Sequence, residues 1–540
     1  MTGMTGAGRL TLLALRRDRI STPAWVVGLS AFVGATTALF VSDFVDRAYL
    51  LDQTRIVASN AGMRLIGLSS GPTVGGYMLH REFVTLAVLA ALLCTSVVVR
   101  HTRQNEELGR AELLGATVVG RYAGLCAAVV AAAVADLALA GGLAAVVRAN
   151  GLPLTGSMLV GASVGAVGLV FIGVAAVAVQ LSATGRGATG ICAGSLGVTF
   201  ALSGVGNMLG TVDPAGTRVT SAWLAWLSPM GWAQQVRPFG GDDLRPLGLS
   251  LLLTASLLAV AGILVNCRDL GRGLAPEHPG RDRAAPGLLS VAGLAWRLQR
   301  GAWLGWGLAL CLFGLILGSL SEQIRHATGA TAEWYTRTGG SQVILDAYRT
   351  SIIQMAGMFV AVYVVQVLLR LHSDEAGGTL EPVLATHVSR WRWLAGSLVN
   401  AVAGATALML LFATCMSLSA GRVLGDTGHE TVVLSVAALA QLPGVLVLGA
   451  MVVAAVGLLP RAAVPASWLL LVASLALGPM FGPGLGLPPW LQDLSPFTHL
   501  PKAPANPITA TPLVLVTAVC LALVGLGLLA LRRRDLALPA

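Results

Sequence analysis

Two sets of glutamates at one spacing are the residues best placed to do chemistry. Glu106-x-x-Gly109-x-x-Glu112-x-x-x-Ala116-Thr117-x-Val119-x-Arg121 recurs as Glu375-x-x-Gly378-x-x-Glu381-x-x-x-Ala385-Thr386-x-Val388-x-Arg390, every match 269 positions on. Carboxylates in a short polar segment between apolar runs either hold charge at headgroup level or offer a surface to a cationic partner. One copy alone would favour the first reading. Recurrence of the same pattern at an equivalent place favours the second, because an acidic segment kept twice docks something twice. The first copy, with Glu107 and Arg110, reads as one short helix on which Glu106 and Arg110, four apart, can pair. Thr379 replaces that arginine in the second copy.

Asp136 is the one carboxylate placed well inside an apolar run. An intramembrane acid is costly, and marks a site for a cationic substrate or a proton, or else a hydrogen bond between helices. Asn207, Gln354, Gln366, Asn400 and Gln441 are uncharged polar groups in similar settings; they line a path or link helices. Other chemistries are excluded. A phosphate-binding Gly-x-x-x-x-Gly-Lys-[Ser/Thr] loop needs its lysine, and the only lysine, Lys502, stands between Pro501 and Ala503. No HExxH zinc helix occurs. The seven cysteines lie in or at the ends of apolar segments and read as small buried hydrophobes, so no metal site or disulfide framework is expected.

The elements that position these residues are membrane spans. The chain is 540 residues long, 55% hydrophobic and 11% charged, against about 25% charge in soluble domains, with mean hydropathy +0.77. Only a bilayer accommodates so much apolar surface. The fold class is all-α and polytopic. Twelve spans are expected near 24–42, 83–99, 122–147, 157–181, 188–210, 246–265, 302–320, 351–369, 393–419, 432–459, 462–482 and 513–531. Arg16, Arg17 and Arg19 precede the first run, which is too long for a leader's apolar core. Lys and Arg concentrate on the side that holds both termini, which places the termini in the cytoplasm. The net charge of +10 is accounted for by those flanks, and no basic stripe with interleaved aromatics points to nucleic acid.

Two further segments repeat. Ala14, Arg16, Arg19 and Trp25 match Ala295, Arg297, Arg300 and Trp306, and Trp223-Leu224-x-x-Leu227-Ser228-Pro229 matches Trp490-Leu491-x-x-Leu494-Ser495-Pro496. The chain is therefore two parallel six-span halves, 1–268 and 288–540, joined by a polar cytoplasmic linker, 269–287. Halves of this kind are related by an axis along the membrane normal, and a pathway is expected between them. The segments Arg9–Ile20 and Leu288–Arg300 read as interfacial amphipathic helices. The Pro- and Trp-rich stretches 211–245 and 483–512 read as partly re-entrant helical pairs on the external side.

This set of features resembles the ABC-2-type exporter permeases, most closely the fused twelve-span actinobacterial tetronasin-transport and multidrug-efflux type. The resemblance covers nearly the whole chain. It implies a permease without its own ATPase site, in the bacterial plasma membrane. The partner is a separate ABC ATPase subunit, in two copies, which carries the ATP and Mg2+. The cargo is a hydrophobic small molecule such as an antibiotic, with membrane lipids around the chain and no nucleic acid. Glu106, Glu107, Gly109, Glu112, Glu375, Gly378 and Glu381 would couple the permease to ATP hydrolysis. Asp136, Phe200, Asn207, Gln354, Met358 and Phe359 would line the substrate pathway. Trp223, Ser228, Pro229, Trp490, Ser495 and Pro496 would belong to the external re-entrant segments. Thr379 and Pro382, against Arg110 and Leu113, make the two docking sites unequal.

Two other classes compete. A proton-driven twelve-span transporter would use Asp136 as its coupling acid, but its external loops are usually short. A polyprenyl-dependent glycosyltransferase would draw an acidic base from Asp43 or Asp46, although a catalytic loop has no need of a second copy.

Overall fold

The computed structural model describes residues 3–43, 46–269, 271–275, 283–326, 335–336, 339–480, 482 and 487–534. The chain divides into two compact units, Met1–Pro279 and Gly280–Ala540.

In the first unit, α1 (Ala7–Arg17) precedes the long helix α2 (Ser21–Asp43). Short helices α3 (Arg47–Ser59) and α4 (Ala61–Ile66) lead to α5 (Val74–His101). Then come α6 (Arg103–Glu107), α7 (Arg110–Gly115), α8 (Ala123–Ala149), α9 (Leu154–Leu181) and α10 (Gly185–Met208). A two-stranded hairpin pairs Thr211–Val212 with Val219–Thr220. A 3-10 turn, Trp223–Leu227, then leads to α11 (Pro229–Gln235) and α12 (Arg245–Asn266).

The second unit repeats this order. It contains α13 (Val291–Ser319), α14 (Ser321–Arg325), α15 (Ile344–Leu368), α16 (Arg370–Ala376) and α17 (Leu380–Leu384). These are followed by α18 (Arg390–Leu424), α19 (Thr427–Leu439), α20 (Leu442–Leu458), α21 (Ala463–Leu477), α22 (Pro489–Gln492) and α23 (Ala510–Arg533).

Among the described residues, 11 helices are long and apolar enough to cross a bilayer. The chain is an all-α polytopic membrane protein. The expected span at 462–482 differs from the rest: α21 has 15 residues, roughly 22 Å at 1.5 Å per residue, against roughly 30 Å of hydrocarbon. Pro479 is the cause, since it biases its predecessor away from helical angles, and Gly478 is extended at φ −67°, ψ 173°. The two short breaks expected between spans are both present, at Ser182–Thr184 and at Leu459–Ala462.

The units differ at their first helices. The turn after α1 is fixed to the end of α5: the Asp18 carboxylate accepts from Arg100 Nη1 at 2.6 Å and lies 2.7 Å from His101 Nε2. Burial resists ionisation of Asp18, but the hydrogen bonds from His101 and Arg100 and their charges outweigh it and hold its pKa below the usual carboxylate value. The interfacial helix expected at Leu288–Arg300 is not separate. Most of it is the start of the 29-residue α13, because no proline interrupts Val291–Ser319.

The Pro- and Trp-rich stretches also depart from expectation. The first holds the hairpin, the 3-10 turn and α11. The second, among its described residues, holds only the four-residue α22, because Pro496, Pro501, Pro504 and Pro507 leave no room for another helical turn.

Candidate functional site

The repeated acidic segment is not one helix but an elbow of two short ones, α6 and α7 in the first unit and α16 and α17 in the second. Each bends at the repeated glycine: Gly109 has φ 70° and Gly378 φ 69°. A residue with a Cβ is strained there, which explains why the glycine recurs at that position.

The first glutamate of each copy turns inward. Glu106 receives two hydrogen bonds from Arg268, Nη2 to Oε1 at 2.6 Å and Nη1 to Oε2 at 2.9 Å. Arg103 adds a third at 2.7 Å and the Gly271 amide a fourth at 3.2 Å. Glu106 therefore pairs with these groups and not with Arg110. In the second unit Arg534 makes the same fork on Glu375, with both bonds at 2.6 Å. Planar guanidinium matched to carboxylate is among the strongest side-chain pairings.

The last residue of the motif completes the arrangement. The Arg121 guanidinium donates to the carbonyls of Val265, Asn266 and Arg268. That of Arg390 donates to the carbonyls of Leu531 and Arg534. These are the unpaired carbonyls at the C-terminal ends of α12 and α23, where a cation is favoured. Thr117 and Thr386 each bond back to the carbonyl three residues earlier, Leu114 and Val383. Each elbow is thus fastened to the end of its unit's last long helix by one ion pair and one capping arginine.

Sequence reasoning missed Arg268 and Arg534 because each reads as an ordinary positive flank. A signal was there: Arg268-Asp269-Leu270 recurs as Arg534-Asp535-Leu536.

Glu107 is also used internally. Its Oε1 accepts from the Gly185 amide at 2.9 Å, at the N-terminus of α10, where a carboxylate complements the helix dipole. Ala376 occupies the corresponding place in the second copy. Glu112 and Glu381 differ from the others. Both are exposed, and neither carboxylate has a partner among the described residues. They are the motif's acids that remain free to face another molecule. Around them the two elbows differ: Leu108, Leu113 and Val118 are exposed on the first, where the second has Gly377, Pro382 and His387.

Asp136 lies buried on α8. Cys94 Sγ is 3.5 Å from its Oδ1, and Oδ2 has no hydrogen-bond partner among the described residues. Gly168 on α9 makes the room, since a Cβ there would fall 1.9 Å from Oδ1. Asn207 belongs to a separate network: it donates to Gln234 Oε1 at 2.6 Å and accepts from Ser221 at 2.7 Å. Phe200 is partly buried against the core of its unit. In the second unit Gln354 is buried with neither amide atom partnered. Met358 is buried, while Phe359 is exposed and meets Phe313 edge-on. Gln354 and Met358, four apart on α15, share a face of that helix, and among the described residues no hydrogen bond links Asp136 to Asn207.

The repeated serines have matching roles. Ser228 Oγ donates to the Thr199 carbonyl on α10 at 2.6 Å, and Ser495 Oγ donates to the Ser474 carbonyl on α21 at 2.7 Å. Pro229 opens α11, and Pro496 follows Ser495 in the turn after α22. Trp223 and Trp490 are largely exposed.

With this geometry in hand, comparison with known proteins gives a close match. The chain is 38% identical over 541 residues to the multidrug efflux system permease protein Rv1217c of Mycobacterium tuberculosis, covering 99% of this chain and 96% of the relative. It belongs to that permease family. A family model described as the C-terminal domain of multidrug efflux system permease Rv1217c matches residues 288–532, which lie within the second unit. Both elbows therefore lie in a region aligned to a permease, and the second also lies within a recognised domain of that family.

Proposed function

We propose that this protein is the membrane-spanning subunit of an ABC-2-type exporter that moves hydrophobic small molecules, such as antibiotics, out of the cell. The observation that carries this reading is the division of labour within the repeated motif. Glu106 and Arg121, with Glu375 and Arg390, hold each elbow to the end of its last long helix, while Gly109, Thr117, Gly378 and Thr386 shape the elbow itself. Glu112 and Glu381 face outward in both copies. A separate ATPase subunit, two per chain, docks on the two elbows and supplies ATP hydrolysis. Its motion reaches α12 and α23 through the Glu106–Arg268 and Glu375–Arg534 forks. The relative's description as a multidrug efflux permease supports the cargo class.

In this reading α21, with the apolar residues after it, is a short twelfth span. The elbows and both termini lie on the cytoplasmic face of the plasma membrane, in keeping with the arginines clustered there. Gently solubilised chain should carry an ATPase subunit at two copies. Drug export that persists in ATP-depleted vesicles under a proton gradient would overturn the reading.

Such a result would favour a proton-coupled transporter, for which the buried Asp136, with one unpartnered oxygen, is the group in place. The second unit argues against this, having Ala405 where the motif's spacing would repeat Asp136.

A further inference from the structure

A cavity of about 260 Å³ lies beside the first elbow, between α1, the end of α5, α7 and α8. Leu10, Leu13, Leu113 and Leu114 line one part of it, and Arg17 and Arg110 another. His101 is the only other titratable group at its wall, and no carboxylate lines it. Nearby Asp18 is already paired with Arg100 and lies 2.7 Å from His101 Nε2. One N–H of Arg17 is taken by Asn105 at 2.8 Å, while the Arg110 side chain has no partner among the described residues. Both guanidiniums are exposed.

The second unit does not repeat the two cations, since Leu298 and Thr379 stand at the repeat positions of Arg17 and Arg110. The void beside its elbow is about 10 Å³, and Trp393 lines it. Trp393 occupies the repeat position of Gly124, which lines the first cavity and would meet nothing within 4 Å if it carried a Cβ. A buried tryptophan thus stands in the second unit where the first has a glycine facing open space. The first unit's cavity combines two unpaired cations with an apolar wall at the foot of an amphipathic helix.

We propose that this cavity binds an anionic phospholipid, its phosphate held by Arg17 and Arg110 and its upper acyl chain lying on the leucines. Basic pockets between helices near the interface suit such headgroups. Neither a neutral lipid nor a free phosphate satisfies both parts of the wall. This proposal stands apart from the ATPase reading and holds whichever energy source drives export.

The test is native mass spectrometry of the full chain, delipidated in detergent and titrated with phosphatidylglycerol or phosphatidylcholine. Phosphatidylglycerol should be retained in preference. Arg17→Gln with Arg110→Gln should cut that preference by about 25-fold, each cation near the surface contributing about a fivefold factor. Gly124→Trp should exclude the lipid while both arginines and the melting temperature stay unchanged. Inorganic phosphate at the same concentration should not displace the lipid. Equal retention of the two lipids, retention unchanged in Gly124→Trp, or displacement by inorganic phosphate would each overturn the proposal.

Discussion

Arg268 holds both carboxylate oxygens of Glu106 across 162 residues of chain, tying the acidic elbow to the segment that follows the last long helix of its unit. Arg534 does the same for Glu375. Two units that differ in their first helices, their outer segments and the length of their fifth long helix keep this one arrangement. It is the most closely repeated piece of geometry in the chain.

Removing either arginine takes the two-bond fork from a nearly buried glutamate. Arg268→Ala or Arg534→Ala should lower stability by about 2–3 kcal/mol, at or just below the range for broken buried pairs because some exposure remains. Arg268→Lys keeps the charge but loses the fork and should cost less. Thermal unfolding in detergent measures the order Ala below Lys below wild type. Equal melting for Arg268→Ala and wild type would mean the pair contributes no stability.

The elbow's bend can be tested separately. Gly109 adopts a left-handed φ, and a methyl group added there would meet nothing within 4 Å, so Gly109→Ala introduces only backbone strain, about 1 kcal/mol. Gly109→Asn should cost less, because asparagine tolerates that region. The same melting series reads both.

Asp136 and Gly168 fill one space. Gly168→Ala drives a Cβ onto Oδ1 and should destabilise by about 1–3 kcal/mol as overpacking. Asp136→Ala with Gly168→Ala should recover most of that loss. A double-mutant cycle gives the coupling, expected beyond about 0.5 kcal/mol; additive effects would show that the two residues do not share the space.

The anchor of α1 depends on pH. Asp18 has a folded pKa below its ordinary 3.8, so its stabilising contribution is full above that value and is lost as pH falls through the lower folded pKa. A fluorophore placed on α1 should stay fixed down to about pH 4 and loosen below it. In Asp18→Asn it should be loose throughout, with no step in that window.

The sequence made much of this legible. The internal repeat and the apolar runs locate the long helices because a bilayer demands continuous hydrophobic stretches. The breaks near Thr184 and Arg461 showed in composition. The fork was not legible, because the pairing of Glu106 with Arg268 depends on where α12 ends beside α6, which no local pattern encodes. The elbow was misread as one helix because a glycine within a helical pattern does not announce a left-handed φ. The short α21 was missed because hydropathy continues through Gly478 and Pro479, whereas helical geometry does not.

The proposed docking places an ATPase subunit on Glu112 and Glu381. The direct measurement is drug-stimulated ATP hydrolysis by the reconstituted complex carrying Glu112→Arg and Glu381→Arg. Both side chains are exposed and unpartnered, so the variant should insert and melt like wild type, yet lose most of its drug stimulation. The single Glu381→Arg should act more strongly than the single Glu112→Arg, because the first elbow keeps Leu108 and Val118 as exposed apolar contacts. Drug-stimulated hydrolysis unchanged in the double variant would contradict the claim.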